Sequence, residues 1–213
     1  KFVATNKNTG NRFIKAALAN KKSMGLTFPA LDVSFDTKND NYGNLNLQLS
    51  LDNKDLITSI KNIDAKMLEI AKKEKWLRGG EVFFPVLKES KALKQDGTPY
   101  YNIKFKIPMK AGEVDVDFFD SKKNKMAVRT PQDAIRVLKK GTSVMVAADV
   151  SGVWFMGDDV LKWGLSMKLT QVRITATSNE PEPDQSRDAD YLFEDSDDDN
   201  SDLDNNCAFD DSD

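Results

Sequence analysis

The sequence predicts a mainly β fold with helical insertions, in the form of a small antiparallel barrel or sandwich. Most of the 213-residue chain consists of short segments in which apolar and polar residues alternate, and this is the pattern of half-buried strands. Turn-forming residues separate the segments. Only two segments have helical periodicity, so few strand–helix–strand crossovers are available, which disfavours a doubly wound parallel sheet.

The first 80 residues are predicted to form a β-hairpin followed by the longest helix. The segments LTFPALDVSFD and LNLQLSL alternate, and TKNDNYGN between them is rich in turn formers. The leucines of the second segment, between positions 45 and 51, share one face. Apolar residues then recur at helical spacing and predict a helix over residues 54–77, capped by Asp52 or Asn53 and ended by the Gly79-Gly80 pair.

Beyond this helix the pattern returns to strands, with one further short helix. EVFFPVL is a short strand in which Pro85 indicates an edge or a bend, and YYNIKFKI and EVDVDFF alternate. PQDAIRVLKK predicts a helix with Thr130 as N-cap and Pro131 at its first position. TSVMVAADVSGVWF, with a bend at Gly152, and VLKWGLSMKLTQVRITA are long strands. We expect one folded domain over residues 1–177.

Charge is divided unequally along the chain. The whole chain has 31 basic and 34 acidic residues. Residues 180–213 contain one basic and 15 acidic residues, which give a net charge of −14. Residues 1–179 contain the other 30 basic and 19 acidic residues, which give a net charge of +11. We therefore expect residues 178–213 to be a disordered acidic tail. The asymmetry indicates a nucleic-acid or membrane partner, or a tail that folds back on its own domain. A tail that only solubilises the protein is the simpler alternative.

Two features of the sequence predict the cellular compartment of the protein. The chain has no apolar run of about 18 residues, so no membrane-spanning helix is predicted. Its single cysteine, Cys207, lies in the acidic tail. One cysteine forms no internal disulfide, which fits an intracellular, reducing compartment.

The amino-acid composition excludes most of the common catalytic mechanisms. The chain has no histidine and one cysteine, so the usual general base, the histidine-activated nucleophiles and multi-cysteine zinc sites are absent. We expect no cofactor, no metal and no enzymatic activity. A carboxylate-dependent nuclease stays open through Asp115 and Asp117, with Asp120 nearby. The more common origin of such a pattern is the solvated outer face of an antiparallel sheet.

The chemistry that remains is that of aromatic residues interleaved with lysine and arginine. Binding to a single strand without sequence specificity needs a cationic groove for the phosphates and flat side chains that stack on bases. YYNIKFKI places Lys104 and Lys106 on one strand face and Tyr101 and Phe105 on the other. The predicted nucleic-acid-binding residues are Trp154, Phe155, Trp163, Tyr101, Lys104, Lys106, Arg129, Lys162, Lys168 and Arg173.

The tryptophans near the GDD turn carry most of this prediction. Trp154 and Trp163 flank the turn. Large apolar side chains that are exposed together near a hairpin tip often mark a binding surface. The alternative is that they pack across the hairpin as a stabilising pair.

These segments, in their order along the chain, resemble the single-stranded DNA-binding proteins of T-odd short-tailed phages and related proteins of large DNA viruses. The resemblance runs from YYNIKFKI through VDFFDSKKNKM to GTSVMVAADVSGVWF and WGLSMKLTQVRI, and continues in the acidic tail. It implies an OB-fold, a five-stranded antiparallel barrel with a helix packed on it. It also implies an aromatic pair beside a basic cleft, matched here by Trp154 and Phe155. Adjacent residues point oppositely on a strand, so we expect only one of them to stack, unless Gly152 introduces a bulge.

The resemblance further implies a function in viral DNA replication, recombination and repair, at the replication site in the host cell. The acidic tail then competes with DNA for the groove and, once displaced, recruits the viral DNA polymerase and helicase/primase; a homodimer is compatible with this arrangement. The tail residues concerned are Asp197, Asp198, Asp199, Phe209, Asp210 and Asp211. The family's tail ends in an aromatic residue, whereas DDSD follows Phe209 here. An acidic-tailed chaperone or protein-interaction module is the alternative function.

Overall fold

The computed structural model describes residues 3–5, 12–15, 24–39, 45–77, 79–157 and 160–176. In these ranges the chain is mainly β with inserted helices, as predicted. The helices are α1 (Lys54–Lys73) and α2 (Pro131–Val137). The strands are β1 (Val3–Thr5), β2 (Arg12–Lys15), β3 (Met24–Asp32), β4 (Lys38–Asn39), β5 (Leu45–Leu51), β6 (Val82–Phe84), β7 (Leu87–Leu93), β8 (Pro99–Lys106), β9 (Met109–Lys110), β10 (Glu113–Val114), β11 (Asp117–Phe119), β12 (Lys125–Met126), β13 (Ser143–Met156) and β14 (Lys162–Ala176). The predicted acidic tail lies outside the described residues.

Five strands are arranged as a barrel that is not fully closed. Antiparallel ladders join β3 to β13, β13 to β14, and β5 to β8. Two single residue pairs connect the remaining neighbours: Lys168 with Lys106 joins β14 to β8 in parallel, and Val33 with Leu49 joins the end of β3 to β5. The result is a partly open five-stranded barrel of the OB type, as the resemblance implied, with one junction parallel.

The hairpin predicted from the first two alternating segments does not form. β3 and β5 meet only at the Val33–Leu49 pair and at a hydrogen bond from the Ser34 N–H to the Gln48 carbonyl. β3 instead pairs with β13 over most of its length. Alternation determines which residues share a face, whereas the partner of a strand depends on the remainder of the fold.

The barrel interior is filled by the faces that alternation predicted. The four leucines of β5 are buried, and so are Ile103 and Phe105 of β8. α2 adds Ala134 and Val137 to the same core. Its N-terminus has the predicted cap: the Thr130 side chain accepts the N–H of Asp133, and the Asp133 carboxylate accepts the N–H of Thr130.

A second, smaller core lies where the β13–β14 hairpin extends beyond the barrel. Phe155 and Trp163 are buried there against the C-terminal half of α1, which contributes Ala71. β2 pairs with β13 and with β1, and β6 pairs with β14, so the described part of the extension is a five-stranded sheet. The irregularity predicted at Gly152 is present as a shift in register, and Gly152 has a φ of 153°. One face of this sheet covers the second core, and the other points outward.

α1 begins where it was predicted to begin and ends earlier. Asn53 caps its N-terminus by accepting the N–H groups of Asp55 and Leu56. The helix ends at Lys73 rather than at residue 77, and Trp76 then packs against the second core. Neither described helix combines the length and the apolar character needed to cross a membrane.

Candidate nucleic-acid interface

The outer face of the barrel carries lysines on two adjacent strands. Lys104 and Lys106 of β8 point outward because Ile103 and Phe105, which alternate with them, fill the barrel. Lys168 of β14 lies directly beside Lys106 in the parallel pair. The strand register therefore brings together lysines that are distant in the sequence.

Lys88 of β7 extends this surface, because it lies opposite Asn102 on β8. Partial burial, and then the charge of Lys104, lower the pKa of Lys88. Among the described residues, no ion pair includes Lys88, Lys104, Lys106 or Lys168. We refer to these four residues as the lysine face. One carboxylate is near, because Asp149 lies opposite Lys168 in the β13–β14 ladder. The four cations outnumber it, so this surface has a local positive potential that favours an anion from outside the protein.

The outward face of the hairpin extension carries aromatic rings. The partly buried ring of Trp154 lies 5.9 Å from the ring of Phe84 on β6, centroid to centroid. Phe84 is 37% exposed, and the Lys162 Nζ lies 5.8 Å from its centroid. We refer to Trp154, Phe84 and Lys162 as the aromatic platform. It offers π-faces and a cation at one place on the surface.

Gly164 makes the aromatic platform possible. It pairs directly with Trp154 across the β13–β14 ladder. A Cβ atom on Gly164 would lie 3.1 Å from Cζ2 of Trp154 and 2.6 Å from the backbone oxygen of Phe84. The absence of a side chain therefore allows the indole and the β6 backbone to approach β14 closely.

A buried carboxylate of α1 fixes the chain between the two surfaces. Asp64 accepts hydrogen bonds from the N–H of Val86, at 2.9 Å, and from the N–H of Leu87, at 3.2 Å. Burial raises the pKa of Asp64, and these two hydrogen bonds oppose the rise. Phe84 precedes this turn and Lys88 follows it. α1 therefore helps to position one residue of the aromatic platform and one of the lysine face.

β14 connects the two surfaces. Lys162 and Lys168 lie on its outward face, while Trp163 and Met167, which alternate with them, are buried. The two lysines are about 20 Å apart along the strand, at a rise of about 3.3 Å per residue. The aromatic platform and the lysine face are thus the two ends of one outward surface.

Three of the predicted binding residues point into the protein. Trp163 and Phe155 are 0% and 1% exposed, and their rings stack in the second core with centroids 6.1 Å apart. The prediction that they bind DNA is wrong, because a buried ring has no free face for a base. Trp154 and Phe155 point to opposite sides, as expected for adjacent strand residues. Tyr101 lies on the face opposite the lysines, where the Lys61 Nζ covers its ring at 4.7 Å, so its assignment to the interface is corrected as well.

The two predicted arginines have contacts with residues outside the lysine face and the aromatic platform. Arg173 is further along β14 than Lys168, and its Nη2 donates to the carbonyl of Ser121 at 3.3 Å, which supports the turn after β11. Arg129 is exposed in the loop before α2, where its carbonyl accepts the N–H of Val114. Neither contact joins the lysine face or the aromatic platform.

Sequence reasoning missed Phe84, Lys88 and Tyr100. Tyr100 is exposed, and the Lys94 Nζ lies 5.6 Å from its ring. Its position could have been found, because Tyr100 and Lys104 have the same parity in YYNIKFKI. The sequence does not show which face Phe84 and Lys88 occupy, because Pro85 interrupts the alternation of apolar and polar residues between them.

Two of the three carboxylates of the candidate nuclease, those of Asp117 and Asp120, have other contacts. Asp120 is buried and accepts the N–H groups of Lys122 and Asn124, both at 2.8 Å. Asp117 pairs with the Lys125 Nζ at 2.9 Å. The part of the chain that the structure describes contains no group of three or more His, Cys, Asp or Glu residues that could hold a metal ion. These contacts stabilise the turn between β11 and β12.

No protein-family model and no curated protein matches the chain. Its structure is similar to that of the single-stranded DNA-binding protein from bacteriophage Enc34, with 14% identity, a TM-score of 0.48, and coverage of 83% of this chain and 96% of the other. The same phage protein in complex with ssDNA gives 13% identity, a TM-score of 0.45, and coverage of 74% and 88%.

A third similar structure is gp2.5, a single-stranded DNA-binding protein encoded by bacteriophage T7, with 14% identity, a TM-score of 0.44, and coverage of 79% of this chain and 98% of the other. These similar structures are all of phage single-stranded DNA-binding proteins. Likeness at these values assigns no ligand to the chain, so its function has to be inferred from its own surface.

Proposed function

We propose that this protein binds single-stranded DNA without sequence specificity, as a non-catalytic component of viral DNA replication, recombination and repair. The observation that carries the proposal is the continuity of the lysine face with the aromatic platform along β14. Lysines neutralise phosphates whatever the sequence, and aromatic rings stack on any base. Only an unpaired strand offers both groups at once.

The position of this surface on the barrel supports the proposal. OB-folds bind oligonucleotides through the face of their second and third strands and through the loops that follow the first and fourth strands. Here the second and third barrel strands are β5 and β8, and β8 carries Lys104 and Lys106. The fourth and fifth are β13 and β14, which carry Trp154 and Lys162 beside their connecting loop.

The acidic tail has a role in the same proposal. Residues 180–213 carry a net charge of −14 against +11 for residues 1–179, so the tail can occupy the lysine face in place of DNA. DNA that displaces it would leave residues such as Asp197–Asp199 and Phe209 available to recruit the viral DNA polymerase and helicase/primase. The charge division supports this part of the proposal; the tail lies outside the described residues.

Fluorescence titration of the intact protein with a dT oligomer at two salt concentrations tests the proposal. We expect quenching of Trp154 and an affinity that falls as the salt concentration rises. Lys104→Ala and Lys106→Ala should each reduce the slope of log affinity against log salt by about one unit, equally for all sequences. Lys66→Ala is the control, because Lys66 is exposed on α1 and pairs with Glu69.

Two outcomes would redirect the assignment. If the protein fails to bind DNA at low salt and binds basic proteins tightly, it is an acidic-tailed interaction module instead. If it cleaves DNA with magnesium and loses cleavage on Asp115→Ala and Asp117→Ala, the nuclease alternative is restored.

A further inference from the structure

Phe35 is an exposed aromatic residue that neither surface described above includes. It lies in the segment between β3 and β5, which is the loop between the first and second barrel strands, and it is 57% exposed. No ring or cation–π contact among the described residues involves it. A single exposed apolar side chain is ordinary on a protein surface, so its meaning depends on how its backbone is held.

The chain on the N-terminal side of Phe35 is attached to the outer face of the barrel. The Ser34 N–H donates to the carbonyl of Gln48 on β5 at 2.9 Å. The Ser34 Oγ donates to Oδ1 of Asn102 on β8 at 2.6 Å. Two adjacent barrel strands therefore hold the residue that precedes Phe35.

The chain on the C-terminal side of Phe35 is attached to the end of α2. The Asp36 carboxylate accepts the N–H of Lys140 at 2.9 Å. The Thr37 hydroxyl donates to the carbonyl of Leu138 at 3.0 Å, and Thr37 is buried. The backbone at Phe35 is thus fixed from both sides, so placing a ligand against its ring costs little ordering entropy.

The attachment points of Ser34 are direct neighbours of the lysine face. Gln48 lies opposite Lys104 in the β5–β8 ladder. Asn102 lies opposite Lys88 in the β7–β8 ladder. Phe35, which follows Ser34, therefore borders the lysine face on the side away from β14.

We propose that Phe35 is a second stacking site, which takes an unpaired base of the strand whose phosphates lie on the lysine face. The inference rests on the function proposed above and adds a second point at which bases are held. The two stacking sites are separated by about 20 Å along β14 and about 10 Å across the strands from β14 to β5, from strand rise and spacing. An oligomer must span this distance to contact both.

The test compares Phe35→Ala and Phe35→Trp with Leu93→Ala. Leu93 is the control, because it is 61% exposed in the β7–β8 hairpin, so neither truncation should alter the melting temperature. We expect Phe35→Ala to weaken binding of a long dT oligomer about 5- to 150-fold, as for the loss of one stacked base. Phe35→Trp should retain or improve binding, and Leu93→Ala should match the unmodified protein. The salt dependence should stay the same in all three, since no phosphate contact is lost.

An abasic oligomer of the same length shows whether Phe35 stacks on a base or only stabilises the conformation of its loop. If Phe35 stacks on a base, Phe35→Ala and the unmodified protein should bind the abasic strand equally. Equal weakening on both oligomers, or a Phe35→Ala variant that behaves like Leu93→Ala, would overturn the inference while the proposed function stands. If the unmodified protein binds no dT oligomer of any length, the proposed function fails, and the inference fails with it.

Discussion

Trp154 and Phe155 are adjacent in the sequence and lie in different environments. Successive side chains on a strand point to opposite faces, so Trp154 lies outward beside Phe84, whereas Phe155 packs in the second core. Two adjacent aromatic residues near one turn thus differ: Trp154 has a proposed binding role on the outward face, and Phe155 has a structural role in the second core.

This difference gives a prediction for two neighbouring truncations. Trp154→Ala should weaken DNA binding by about 1–3 kcal/mol, the stacking energy of one base, with little loss of stability. Phe155→Ala should lower the free energy of unfolding by about 3–5 kcal/mol, because it leaves a cavity. Urea unfolding and dT titration of both variants check this. Unfolding of the Trp154 variant would show that its indole is core.

Gly164 gives a second prediction at the residue scale. Gly164→Ala should destabilise the protein by about 1–3 kcal/mol, because the new methyl group would overlap the backbone oxygen of Phe84. Gly25→Ala is the matched control, since a Cβ atom there meets only the Asp149 carboxylate at an ordinary 3.7 Å. Urea unfolding should separate the two variants; equal stability would contradict the close approach of β6 to β14.

At the scale of elements, the segment from β6 to β7 links the aromatic platform to the lysine face. Asp64 of α1 holds the turn between these strands, and β7 then places Lys88 beside the lysines of β8. α1, β7 and β8, which are separate in the sequence, thereby contribute to one surface. As a consequence, the charged form of Lys88 is disfavoured by partial burial and then by the charge of Lys104.

The partial burial of Lys88 and the repulsion by Lys104 predict opposite effects of Lys88→Met on stability and on binding. At neutral pH the variant should unfold at higher urea than the unmodified protein and bind DNA more weakly. The pKa of Lys88 in the folded state lies below its unfolded value of 10.5. Between the two values the unfolded state holds more protons, so the stability of the unmodified protein rises with pH. The difference in stability between Lys88→Met and the unmodified protein should therefore become smaller as the pH rises between these two pKa values. A difference that does not change with pH would show that the charge of Lys88 is not its cause.

At the scale of the whole molecule, a basic body is joined to an acidic tail. Removal of residues 178–213 should tighten DNA binding and steepen its salt dependence, because an internal competitor is lost. A variant that keeps the length of the tail but has asparagine in place of its aspartates should behave like the truncated protein. Unchanged affinity of both, measured by dT titration, would count against competition by the tail.

Much of the local structure could be predicted from the sequence, because it depends on neighbouring residues. Strict alternation predicted the buried leucines of β5 and the outward lysines of β8. The Thr130-Pro131 pair predicted the start of α2, and Asn53 was one of two candidate caps for α1. The division of charge between residues 1–179 and 180–213 can be read from the sequence directly.

The tertiary structure decided which of these residues act together. Burial of Trp163 requires α1 to pack against the extended hairpin, and alternation cannot show which face of a strand a distant helix will cover. The lysine face requires Lys168 to lie beside Lys106, a contact between strands that α2 and β13 separate in the sequence. Phe84 joins the aromatic platform only through the pairing of β6 with β14. Local patterns determine faces and caps, whereas partners depend on long-range contacts that no neighbouring residue specifies.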